Sequence, residues 1–136
     1  MEIARFLVEE LGVDIEETDV YNGTVFNWSV FRRHYDITLY FLQRGANLNK
    51  REFEFNTPLT IAVKRQAHQF IDLLLENKQR GVDLNNVFYD QGVMYTPLVF
   101  AIKVRFDITV VRQLIRAGVD VNNEDSDYTA LEVALE

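Results

Sequence analysis

The sequence predicts an all-α solenoid built by repeating one helix-turn-helix unit, and three observations predict it. A phrase opening on threonine returns four times, as TVFNWSV from Thr24, TPLTIAV from Thr57, TPLVFAI from Thr96 and TALEVAL from Thr129, at intervals of 33, 39 and 33 residues. A glycine phrase keeps step with it, as GVDIE at Gly12, GANLN at Gly45, GVDLN at Gly81 and GVDVN at Gly118. Between the two markers, apolar residues recur at helical spacing. Two markers in phase are the signature of a repeat array.

Each element follows from a physical preference. Threonine is a helix N-cap, and Pro58 and Pro97 directly after it occupy the position where a missing N–H costs nothing. Each Thr therefore opens a first helix. A second helix follows, with one broad buried face: Ile37, Tyr40, Phe41 and Leu42, then Phe70, Ile71, Leu73, Leu74 and Leu75, then Val110, Val111, Leu114 and Ile115. Gly45, Gly81 and Gly118 stand just past its end, where a left-handed residue is wanted. The alternating runs after each glycine, VDLN and VDVN among them, read as an extended finger or hairpin leading to the next Thr. The continuous core is expected to run through Leu7, Phe41, Leu74 and Leu114.

A unit of about 33 residues opening on T-P-L resembles the ankyrin repeat, whose phrase is T-P-L-H-x-A. The resemblance covers essentially the whole chain and divides it into a partial unit at 1–23, units at 24–56, 57–95 and 96–128, and a partial unit at 129–136. The family's His is replaced by Asn27, Thr60, Val99 and Glu132, and its glycine between the helices by Arg33, Gln66 and Arg105. These departures withdraw the expectation of the family's Thr–His hydrogen bonding, but not of its architecture. The 57–95 unit carries three extra residues before Gly81 and three more in its finger, so an irregular bulge is expected there.

The 136 residues form one domain, with 48% hydrophobic residues for a core. The absence of Cys excludes a disulfide framework and thiolate metal sites. The N-terminus is acidic and helical in period, unlike a basic-then-apolar signal peptide, and no run reaches about 18 apolar residues. A cytoplasmic or nuclear location is expected, or the host cytosol if the chain is a secreted effector. The net charge of −7 is uneven: residues 1–20 carry seven acidic side chains against Arg5, residues 117–136 carry six and no basic one, and the stretch between is basic. The summed field repels phosphate, which argues against nucleic acid as a partner.

Aligning the units on their threonines gives two columns. Trp28, Ile61, Phe100 and Val133 stand four residues after each Thr, which the resemblance places on the first helix facing the concave groove. Arg32 with Arg33, Lys64 with Arg65, and Lys103 with Arg105 end the first helices. Cations there favour the helix dipole by roughly 0.3 to 1 kcal/mol each, and they could equally stack into a positive stripe for an acidic partner. The finger aromatics Tyr21, Phe53, Phe55, Phe88, Tyr89 and Tyr95 extend the candidate surface, because aromatic residues dominate interface hot spots.

Catalytic chemistry finds little support. His34 and His68 are the only histidines and are placed in the turns between helices, so no two-His metal site or catalytic dyad can be assembled. No glycine-rich phosphate loop is present. The glycosylation patterns at Asn22 and Asn27 are discounted, because Thr24 is the capping residue. Neither cofactor, metal, membrane nor small-molecule ligand is expected. The sequence therefore predicts a monomeric, non-catalytic protein-binding module. Alternatives are the targeting arm of a longer effector, ubiquitin-ligase adaptor or regulated enzyme, and a stoichiometric inhibitor or immunity protein using its acidic ends.

Overall fold

A computed structural model describes residues 1–136 as a mostly helical repeat fold. Helix α1 (Glu2–Arg5) continues as a π-helical turn over Phe6–Glu10. Three helix pairs follow: α2 (Val25–Phe31) with α3 (Tyr35–Gln43), α4 (Pro58–Lys64) with α5 (His68–Glu76), and α6 (Pro97–Lys103) with α7 (Ile108–Ala117). The short α8 (Ala130–Ala134) closes the chain. Within each pair the helices pack on one another, and across pairs α2 packs on α4, α4 on α6, α6 on α8 and α5 on α7.

The capping logic operates at every first helix. Thr24, Thr57, Thr96 and Thr129 each accept the backbone N–H three residues on, from Asn27, Thr60, Val99 and Glu132. Three of the residues standing in for the family histidine restore a reciprocal bond. Thr24 donates to Asn27 Oδ1 at 2.8 Å, Thr57 N–H donates to Thr60 Oγ1 at 2.8 Å, and Thr129 N–H donates to Glu132 Oε2 at 2.7 Å. Val99 alone cannot reciprocate. The turns between helices keep the left-handed backbone that the family fills with glycine, at Arg33 (φ 59°), Gln66 (φ 52°) and Arg105 (φ 54°).

The core is one cluster running through all the pairs, with Phe26, Leu59, Ile71, Leu74 and Leu114 inaccessible to solvent. Leu7 is not part of it. Counting back from the glycines, Val8 and not Leu7 matches Phe41 and Leu114, and Val8 packs against the core while Leu7 lies exposed. His68 opens α5, with its ring edge-on to Phe106 at 4.8 Å. The three extra residues before Gly81 form a 3-10 turn, Lys78–Arg80.

Only one finger is a true hairpin. β1 (Phe88–Asp90) and β2 (Val93–Tyr95) pair antiparallel in the enlarged 57–95 stretch, joined by Gln91 and Gly92 with positive φ at both, as a two-residue hairpin turn requires. Two of the other fingers close on a single backbone bond, Asp19 N–H donating to Gly23 O at 3.0 Å and Glu52 N–H to Asn56 O at 2.9 Å. Successive fingers also bond to one another: Glu16 Oε1 accepts from Asn47 N–H, Asn49 Oδ1 from Asp83 N–H, and Asn85 Oδ1 from Asp120 N–H, at 2.7 to 2.8 Å.

Candidate protein-binding face

The predicted column divides into surface and core. Trp28 is half-buried, but Ile61, Phe100 and Val133 are buried. The hairpin is the reason at Phe100, which meets Phe88 and Tyr95 at 5.4 Å each. Phe88 and Tyr95 are buried in the same cluster, and these five residues therefore hold the fingers to the helices and offer no free surface. The remaining finger aromatics do reach solvent. Phe53 is 64% exposed, Phe55 is also exposed, and Tyr89 is half-buried. Tyr21 lies edge-on to Phe53 at 6.4 Å, and Phe55 against Tyr89 at 5.7 Å.

Two cations of the predicted basic stripe, Lys64 and Lys103, are paired with carboxylates. Lys64 Nζ lies 3.1 Å from Asp90 and 3.4 Å from Glu54, both on fingers, and donates to Tyr89 O. Lys103 is tied to Glu136, whose hydrogen bond raises its pKa. Arg33 turns its guanidinium onto Arg65 O. Arg32, Arg33, Arg65 and Arg105 have no carboxylate partner, and of these Arg32 and Arg65 stack on aromatic faces. Arg32 lies 5.7 Å from the Trp28 ring and Arg65 4.4 Å from the Phe31 ring, while Trp28 and Phe31 meet edge to face at 5.5 Å. Such stacking holds a guanidinium in place and leaves its N–H edge free to bond.

The structure thus assembles a row, Arg32–Trp28–Phe31–Arg65, crossing from α2 to the end of α4. Asp19 of the first finger accepts from Trp28 Nε1 and from the Gly23 and Tyr21 N–H groups, which fixes the indole and lowers the carboxyl pKa, the indole bond contributing most. A cleft of about 190 Å³ opens beside the row, lined by Phe31, Glu52, Asn56, Ile61, Lys64 and Arg65. The Glu52 carboxyl is pushed up to about 7, first by burial and then by the Asp19 charge, with Lys64 opposing. Aligning units on Thr places Phe31 and Lys64 in one column, so the Phe31 position was present in the sequence. What the sequence concealed is that Glu54 and Asp90 would claim Lys64, and Glu136 Lys103, and leave the aromatic member of that column exposed.

No three His, Asp or Glu side chains gather to hold a metal ion, and no helix is long and apolar enough to cross a membrane. No family model matches the chain. Known proteins similar to it include the following three. Putative ankyrin repeat protein FPV031 of Fowlpox virus is 32% identical over 144 aligned residues, covering 99% of this chain and 40% of that protein. Putative ankyrin repeat protein FPV024 of the same virus is 32% identical over 90 residues, 66% of this chain and 14% of that protein. The human transient receptor potential cation channel subfamily A member 1 is 34% identical over 71 residues, 52% of this chain and 6% of the channel. The chain spans less than half the length of each of these relatives.

Proposed function

The chain belongs to the ankyrin-repeat family, and from that premise we propose that it is a non-catalytic α-solenoid that binds another protein through its helix–finger face. The observation that carries this reading is the row Arg32–Trp28–Phe31–Arg65 with the exposed Tyr21 and Phe53 beside it. Aromatic and arginine side chains are the groups that dominate binding energy at protein interfaces, and here they are fixed before binding by stacking and by the Asp19 bond. Two unpaired guanidiniums between aromatic faces suit a partner segment with an acidic residue next to an apolar one. Rigid display on stacked pairs is the mechanism, since each pair holds its neighbour.

The test is recovery of binding partners by the wild-type chain and by a Phe31→Ser, Arg65→Ala double variant with an unchanged melting temperature. Loss of the partner by the variant supports the helix–finger face. A partner held equally by both chains refutes it. The greater length of the relatives favours a second reading, in which the same face is the recognition arm of a longer polypeptide whose activity lies elsewhere.

A further inference from the structure

The 24–56 unit lacks a side chain that the later units carry just before the threonine. Asn56, Tyr95 and Tyr128 stand at that position, and Gly23 takes it before Thr24. Tyr95 packs over Phe100 and helps to bury it, whereas the counterpart of Phe100, Trp28, has only Gly23 in that place and stays half open. The Glu52 carboxyl turns into the space instead: a Cβ on Gly23 would stand 3.0 Å from Glu52 Oε2, and 3.5 Å from both Trp28 Nε1 and Asp19 Oδ1. Beside it, between the first two fingers, lies a pocket of about 150 Å³ lined by Tyr21, Trp28, Phe31, Glu52 and Phe53. Four aromatic side chains and one carboxyl form its walls, and no cationic side chain does. Both Asp19 oxygens are taken by N–H donors, while Glu52 has neither a hydrogen bond nor an ion pair.

Further along the array the chain supplies an ammonium of its own at the comparable place. Seven residues after Thr57 and Thr96, Lys64 and Lys103 each set Nζ 5.7 Å from the centre of an aromatic ring, Phe88 for the first and Tyr128 for the second. Each also meets carboxylates, Glu54 and Asp90 for Lys64 and Glu136 for Lys103. Seven residues after Thr24 the chain has Phe31 and no cation. An aromatic face attracts an ammonium, and a carboxylate adds to that attraction, most strongly where water is partly excluded. The pocket holds the rings and the carboxyl of this arrangement without its cation. Lys64 is committed elsewhere, to Glu54, Asp90 and Tyr89 O, and Arg32 and Arg65 stack on Trp28 and Phe31 without lining the pocket.

We propose that this pocket receives a lysine side chain of the partner protein, its stem among Tyr21, Trp28, Phe31 and Phe53 and its ammonium on the Glu52 carboxylate. The proposal rests on the helix–finger reading and narrows the partner: an acidic residue of the bound segment meets Arg32 or Arg65, and a lysine of the same segment enters the pocket beside them. Glu52 also makes the contact dependent on pH. Burial holds its pKa at about 7, the Asp19 charge on the first finger adds to this, and Lys64 on α4 opposes it. Arg32 on Trp28 and Arg65 across the adjoining cleft are the other charges at the rim. An incoming ammonium favours the ionised carboxyl, so binding releases protons and tightens as pH rises through about 7.

Trp28 is the only tryptophan of the chain, so its fluorescence reports on the pocket directly. The test titrates the full chain with acetyl-lysine methylamide and with the norleucine analogue, which has the same stem and no ammonium, at matched ionic strength. The lysine amide should bind at least about threefold more tightly than the norleucine amide, the least that an ammonium among aromatic rings is expected to add, and this preference should grow between about pH 6 and pH 8. Glu52→Gln should remove the preference and its pH dependence. Phe31→Lys, which places at this position the residue that the next two units carry, should abolish the response to the lysine amide. Equal responses to the two amides at high pH, or a lysine preference that survives Glu52→Gln, would overturn the proposal. Partner recovery reads the face and the amides read the pocket, so equal amide responses together with a partner still lost by the Phe31→Ser, Arg65→Ala variant would overturn the lysine pocket and leave the helix–finger face standing.

Discussion

Glu52→Gln should leave stability unchanged in acid and raise it above neutrality. The Glu52 carboxyl makes no hydrogen bond, lies half-buried beside Phe31 and Ile61, and is brought to a pKa of about 7 by that burial and by Asp19. A folded-state pKa above the ordinary 4.5 means that the native chain holds the proton more tightly than the unfolded chain. The stability this confers is complete below about pH 4.5 and is lost as pH rises through about 7. The displacement sets a ceiling of about 3 kcal/mol. Water still reaches the carboxyl, and screening brings the figure down to about 1 kcal/mol, or about 4 °C in melting temperature for a domain of this size. Glu9, Asp19, Asp107 and Glu132 are all lowered, by hydrogen bonds from Tyr40, Trp28, Thr109 and Thr129 respectively, so their stabilisation is lost only below about pH 4.5 and lies outside this window. Urea or thermal unfolding of both chains between pH 5 and pH 8.5 is the assay. The wild type should lose stability across this range and Glu52→Gln should not. Parallel curves over the whole range would mean that the ionised carboxylate is well solvated and that the burial argument is wrong.

The helical framework yields three further expectations. Leu74→Ala removes a side chain with no solvent exposure and should cost roughly 2 to 5 kcal/mol in urea unfolding; a loss under 1 kcal/mol would place Leu74 outside the core. Thr60→Val should cost about 1 kcal/mol, because it deletes the hydroxyl that accepts the Thr57 N–H while keeping the side-chain volume; an unchanged melting temperature would show that the reciprocal bond adds nothing. Gln66→Gly relieves a left-handed backbone of about 1 to 2 kcal/mol at an entropic cost of about 0.5 to 1 kcal/mol, so the melting temperature should rise slightly, and a fall would show that the Gln66 side chain matters more than its backbone.

The helix ends were legible in the sequence because they depend on local chemistry. A threonine hydroxyl reaches an N–H three residues away whatever else surrounds it, and a glycine past a helix end accepts a left-handed backbone on its own. The second-helix core was legible for the same reason, and at Leu7 the expectation missed a register that the sequence contains, since Val8 stands four residues before Gly12 as Phe41 does before Gly45. The candidate face depends on neighbours distant in sequence. Phe100 reads as a surface anchor until Phe88 and Tyr95 are seen to cover it, and Lys64 reads as a free cation until Glu54 and Asp90 are seen to pair with it. Residues four after each threonine are equivalent by position but not by surroundings. Of the four, Trp28 alone stays half open.

Arg33 carries a consequence for how the array comes apart. Its left-handed backbone is an unfavourable conformation within the α2–α3 turn, while its guanidinium satisfies the Arg65 carbonyl at the end of α4. The cost falls on one unit and the benefit on the next. A single unit isolated from its neighbours would retain the strain without the compensating bond, and would be less stable than its share of the whole. Weak elements joined by favourable junctions behave as a cooperative one-dimensional lattice. Such a chain resists fraying from its ends and loses its structure in one sharp transition, so a surface held at one point of the array is lost only when the whole array is.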